Sequence, residues 1–188
     1  MPQGLPMREK IIAAAEKRVR NAGFPAMSFR DVAQDVGIKS ASVHYHFPTK
    51  EDLGEALLDS YIERFRARLE AIPQDNLKAA LDQFIELYGD GLVMDEAICL
   101  CAILGAEALG LPADMNRKTR AFFEMNADWL TALFARHGHE EETDLSITIV
   151  SALEGAIIVA SSSSDRTLFE KVAATVPLIA GRTLGHAP

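Results

Sequence analysis

SFRDVAQDVGIKSASVHYHFPTK, residues 28–50, reads as two short helices joined by a tight turn, followed by the start of a third. Ser28 and Asp31 fit the S-x-x-[DE] capping pattern, in which each side chain takes a backbone N–H from the other end of the first turn, so a helix begins at Phe29. Phe29, Val32, Ala33 and Val36 recur at helical spacing and form one apolar face. Gly37 stops this helix, because glycine enters the left-handed region without steric cost. Ile38 turns back toward the core. A second helix is predicted over 40–46. Pro48 ends it and Thr49 caps the next. Helix, glycine-containing turn, helix is the pattern whose second helix enters the major groove of DNA.

The second helix carries suitable chemistry. Ser40, Ser42, His44, Tyr45 and His46 offer hydrogen-bonding groups, and only Ala41 and Val43 are small and apolar. Phosphate oxygens and base edges are recognised by such groups. Arg30, Lys39 and Lys50 supply positive charge around it. The candidate DNA contacts are therefore Ser28, Arg30, Lys39, Ser40, Ser42, His44, Tyr45, His46 and Lys50.

The stretch resembles the DNA-binding domain of the tetracycline-repressor (TetR) family of bacterial regulators. The residues that carry the resemblance are Val32-Ala33, Gly37-Ile38, Val43, His46-Phe47, Lys50 and Leu53, all in register, and it covers residues 8–58. There are two departures. Lys39 stands where the family often has a capping serine. His44 stands where it usually has a tyrosine, so that residue's phosphate contact would fall to His44, with Tyr45 beside it. The resemblance implies an all-α protein that dimerises through its last two long helices. It also implies a repressor that a small molecule releases from operator DNA.

Charge distribution points the same way. The net charge of −8 argues against a nucleic-acid partner, but residues 1–50 carry eight Lys/Arg against four Asp/Glu, and the excess of acid lies wholly in the remainder. A basic N-terminal module on an acidic body fits a DNA reader whose body is repelled by phosphate. The 188 residues allow a small domain plus a larger one, placed at 1–52 and 53–188. The longest strongly apolar segments, near 97–106 and 155–160, are short of a membrane span. MPQGLPMREK has no apolar signal core, and Cys99 and Cys101 are too close to staple a fold, so a reducing cytoplasm is expected.

Helical spacing continues to the end of the chain. A first helix is predicted over 7–21 and a fourth over 50–71. Further helices follow over 76–88, where Gly89 and Gly91 break the pattern, then 93–109, 114–136, 144–161 and 165–181. Pro177 is expected to kink or shorten the last. The eighth helix is apolar most of the way round and carries Gly155, Ala152, Ala156 and Ala160, which allow close approach. A homodimeric interface through the eighth and ninth helices is expected, the alternative being a central helix in one bundle.

Ligand-binding candidates lie among the fifth to seventh helices: Phe84, Tyr88, Met94, Cys99, Glu107, Phe122, Asn126 and Trp129 mix aromatic and polar groups, as pockets between bundle helices do. Cys99 and Cys101 divide reversible ligand binding from thiol-based sensing of an oxidant or electrophile. No basic residue lies within four positions of either, and Asp95 and Glu96 lie near, so inert thiols are expected. No metal or cofactor site is expected: Cys99 and Cys101 are two apart on a helix and do not face each other, and the His137–His139 segment reads as a polar loop. An all-α enzyme and a purely architectural DNA binder remain as alternatives. No nucleophile elbow, phosphate loop or H-E-x-x-H is present to support the first.

Overall fold

The computed structural model describes residues 5–94, 98–140 and 142–185, with side chains throughout except at 91–94. The described residues form α1 (Met7–Ala26), α2 (Phe29–Val36), α3 (Ser40–His46), α4 (Lys50–Glu70), α5 (Leu77–Met94), α6 (Leu100–Ala106), a 3-10 turn (Ala108–Gly110), α7 (Ala113–Arg136), α8 (Thr143–Ser163) and α9 (Thr167–Thr183). No strand occurs among them, and the all-α expectation holds.

The helices of the reader start and stop where local chemistry dictates. The Ser28 hydroxyl accepts a hydrogen bond from the Asp31 N–H at 3.2 Å. Gly37 ends α2 at φ 76°, in the left-handed region. Thr49 and Asp52 form a reciprocal box at the start of α4. The Asp52 N–H donates to Thr49 Oγ1 at 3.0 Å, and the Thr49 N–H donates to Asp52 Oδ2 at 2.9 Å. Each such cap contributes about 1 kcal/mol. Arg18 of α1 holds Asp35 of α2 through two hydrogen bonds, of 2.6 and 2.8 Å.

α4 belongs to both halves of the molecule. Its early residues Leu53, Leu57 and Leu58 are buried, as are Phe65 and Leu69 near its end. The helix packs on α1 as well as on α5 and α7. One apolar core consequently runs from Ile11 of α1 to Ala180 of α9. Polar ties reinforce it. Arg64 of α4 reaches Glu16 of α1 at 2.6 Å, and Lys118 of α7 reaches Asp59 and Glu55 of α4 at 2.7 and 3.1 Å.

Several predicted boundaries move. α1 continues past residue 21 to Ala26, with a kink at Gly23 (φ 82°). α5 runs through Gly89 and Gly91 to Met94, where a break was expected. Gly89 lies against the Phe169 ring of α9, so this glycine serves a close approach and ends nothing. The predicted sixth helix over 93–109 shrinks to seven residues and a 3-10 turn. α9 runs through Pro177 to Thr183. α8 is the one helix among the described residues long and apolar enough to cross a membrane, although no such run was expected. Half of it lies inside the protein, against α7 and α9 among others.

Candidate functional site

α3 is displayed on a rigid frame. Val43 turns inward and is fully buried, while Ser40, Ser42 and His46 are half-buried and His44 is exposed. Tyr45 projects furthest, at 85% exposure. The His44 ring meets the Phe29 ring edge-on at 4.6 Å, and Tyr45 meets His46 at 5.2 Å. Aromatic packing therefore orients the ring donors at the end of α3. Lys39 precedes α3 without forming a side-chain cap and is exposed, as is Arg30 on α2.

Two predicted DNA contacts have structural duties. Ser28 spends its hydroxyl on the α2 cap, where it also donates to Asp31 Oδ2 at 2.6 Å. Lys50 donates from Nζ to the Pro25 carbonyl at 3.0 Å and sits 4.6 Å over the Phe24 ring. Its charge is directed to the last turn of α1, beyond the kink at Gly23.

In the body, the predicted aromatic set forms a chain of packed rings. Trp129 stacks on Phe84 at 5.4 Å, Phe84 meets Tyr88 at 5.2 Å, Tyr88 meets Phe65 at 5.6 Å, and Phe65 meets Phe122 at 4.8 Å. Phe84 and Phe122 are fully buried and fill the core. Asn126 donates to the Phe122 carbonyl at 2.8 Å. Only Tyr88 and Cys99 of the predicted set line a cavity of about 180 Å³, together with Tyr61, Phe65, Glu16 and Arg64. Met94 lies at the end of α5, its side chain outside the described residues.

Glu107 is placed elsewhere than expected. Its Oε2 accepts a hydrogen bond from the Phe24 N–H at 3.0 Å, and its carboxylate occupies the space beside Gly23 that a Cβ would need. It ties the end of α6 to the reader and takes no part in the aromatic cluster. A second tie lies nearby, where Arg20 Nε donates to the Ile98 carbonyl at 2.8 Å.

The cysteines are buried, and burial pushes both thiols well up; for Cys99 the Glu154 carboxyl adds to this, and for Cys101 Cys99 and then Glu154 do so. Among the described residues Glu154 is the acid that acts on both thiols; Asp95 and Glu96 lie outside the described residues. Tyr61 donates to Cys99 Sγ at 3.2 Å, and the Cys99 thiol donates to Glu154 Oε1 at 3.5 Å. Burial raises the Glu154 carboxyl to about 7, the Cys99 thiol acting in the other direction. Glu154 was absent from the predicted site. The signal was present: it is the single charge in the apolar run 145–160. Four buried polar atoms among the described residues lack a partner: Tyr88 Oη, Asn126 Oδ1, Trp129 Nε1 and Glu154 Oε2.

Known proteins share both halves. The family of bacterial regulatory proteins of the tetR type matches residues 11–57, and the C-terminal domain of LmrA/YxaF-like transcriptional regulators matches residues 78–175. The HTH-type transcriptional regulator CymR of Pseudomonas putida is 28% identical over 172 residues, which is 87% of this chain and 83% of that protein. The HTH-type transcriptional regulator EthR of Mycolicibacterium smegmatis is 25% identical over 183 residues, 95% of this chain and 81% of its own. Among solved structures, a TetR transcriptional regulator from Legionella pneumophila superposes with a TM-score of 0.86 at 28% identity, covering 94% of this chain and 98% of that one. With the reader and the body both matched, the chain belongs to the TetR family of bacterial transcriptional regulators, and it is a DNA-binding regulator.

Proposed function

We propose that this chain is a homodimeric, cytoplasmic repressor that reads operator DNA with α3 and leaves it when a small molecule enters the body. Regulators of this family bind operator DNA and act as dimers. The observation that carries the reading is α3 itself, which presents Tyr45, His44 and Ser42 outward from a helix anchored on its other side by the buried Val43. In this reading 1–52 form the reader and 53–188 the body, joined within α4. Arg30 and Lys39 meet phosphate, while Ser42 and Tyr45 reach base edges. The effector enters beside Tyr88 and Cys99, and the protein works by binding alone, without thiol or catalytic chemistry.

The dimer would form through α8 and α9. Ile147, Ile158 and Val159 of α8 and Leu178 and Ile179 of α9 are between 38% and 52% exposed, apolar surface on both helices that a second copy would cover. Two α3 helices would then meet half-sites about 34–36 Å apart. Effector binding that alters this spacing weakens DNA binding, and operator DNA weakens effector binding by the same factor.

Mobility shift with DNA flanking the chain's own gene, at low salt, tests the reading. Lys39→Ala weakens binding to all sequences and flattens the salt slope, whereas Tyr45→Ala shifts sequence preference by about 1–3 kcal/mol at the contacted base. A wild-type protein that retards none of this DNA sinks the reading.

A further inference from the structure

A groove of about 410 Å³ runs between α7 and α8. Three carboxylates line it: Glu124 and Asp128 on α7 and Glu154 on α8. Phe123, Ile147 and Val150 supply apolar wall, and the lining contains no Lys, Arg or His. At the rim Arg120 meets Glu124 at 3.6 Å, both well exposed. Among the described residues no cation pairs with Asp128 or Glu154.

Glu154 is the telling member. It is 7% exposed, and while Oε1 takes the Cys99 thiol, Oε2 has no partner. A buried carboxylate without a counter-charge is costly and answers by raising its pKa, and a cation brought to it would favour the charged form. The polar groups packed around it supply no such charge. The Cys99 thiol leads α6, and the phenols of Tyr61 and Tyr88 come from α4 and α5; burial keeps all three uncharged. From α7, Arg120 at the rim is paired with Glu124, and Asp128 adds a further acid.

We propose that this groove binds an organic ammonium ion with an apolar body. An N–H of the ligand donates to Glu154 Oε2, its charge is balanced by Glu154 and Asp128, and its hydrocarbon lies against Phe123, Ile147 and Val150. An anion is repelled there, and a neutral analogue can donate a hydrogen bond to the carboxylate but forgoes the pairing of opposite charges. The groove's size falls within the usual range of small-molecule sites, about 300–1,000 Å³. Ile147 belongs both to the groove and to the exposed face of α8, so the second copy of a dimer would border the mouth. Glu154 must be ionised to pair with the ligand. Since its carboxyl titrates at about 7, affinity falls as the solution is acidified below that point. The inference concerns what the groove binds and does not depend on the repressor reading.

Titration calorimetry on the full chain with para-butylbenzylamine, para-butylbenzyl alcohol and para-butylbenzoate, at about pH 8 where Glu154 is charged, is the test. The amine binds about tenfold or more tightly than the alcohol, as the pairing of its charge with the carboxylates requires, and the benzoate binds weakest. Glu154→Gln shrinks the amine's advantage over the alcohol to a few-fold or less. Asp128→Asn, at an exposed position, lowers the advantage a few-fold and guards against repacking around residue 154. Equal affinity for amine and alcohol overturns the proposal, as does an amine preference that survives both substitutions undiminished. A protein that still retards its DNA while showing no such preference loses this inference alone.

Discussion

Burial holds the Glu154 carboxyl at about 7 in the folded chain, against 4.5 for a free glutamate. Below the lower value both folded and unfolded states carry the proton, and the residue costs nothing. As pH rises toward the upper value the unfolded state releases its proton first, so stability falls through this window and stays lower above it. The full difference amounts to roughly 3 kcal/mol. Glu154→Gln keeps an acceptor for the Cys99 thiol and removes the titration. The substitution therefore raises stability by up to about that amount at pH 8 and by little near pH 5, as urea denaturation at the two pH values would show. An equal effect at both would exclude a titrating Glu154 as the cause. At this scale the sequence was legible in part. A lone acid in an apolar run marks itself, whereas the partner of Glu107 is a backbone N–H that lies 83 positions away and has no signature.

Among the elements, the helix-turn-helix was readable to the residue because its signals are local: Ser28, Gly37 and Thr49 act within a turn of their own positions. The middle of the chain was not. Gly89 looks like a breaker until Phe169 of α9 is brought against it, and Pro177 looks like a terminator until α9 is packed on both sides of it. The tie between α6 and α1 is likewise tertiary and can be tested as a pair. Gly23→Ala puts a side chain at a left-handed position and into the Glu107 carboxylate, and costs about 1–3 kcal/mol. In a Glu107→Ala background the steric part disappears and only the backbone strain remains. The two substitutions therefore show coupling of about 0.5 kcal/mol or more in a double-mutant cycle read by thermal denaturation. Strict additivity would show that the carboxylate does not fill the notch.

For the molecule as a whole, the acidic body and basic reader were visible in the counts of charge, and the family resemblance in residues 8–58 foretold the architecture. The placement of cavities was not visible, because it depends on which rings fill space and which border it. Phe84 and Phe122 fill it, whereas Tyr88 borders it. The exposed face of α8 and α9 is a property of the assembled surface. Ile158→Glu combined with Ile179→Glu puts four charges at the centre of the dimer proposed here. The variant remains helical by circular dichroism, has the mass of one chain by light scattering, and loses high-affinity retention of two-half-site DNA. A variant that stays dimeric would place the interface on another face.

Arg20 and Phe24 stand on either side of the kink at Gly23 in α1, and each is fastened to the segment 98–107, one through the Ile98 carbonyl and the other through Glu107. A joint fastened on both sides cannot fold freely, so the bend of α1 is set by its two ties to the segment around α6. A shift of that short helix would bear first on the last turn of α1 at Phe24 and Pro25, where Lys50 grips the ring and the carbonyl and α4 begins.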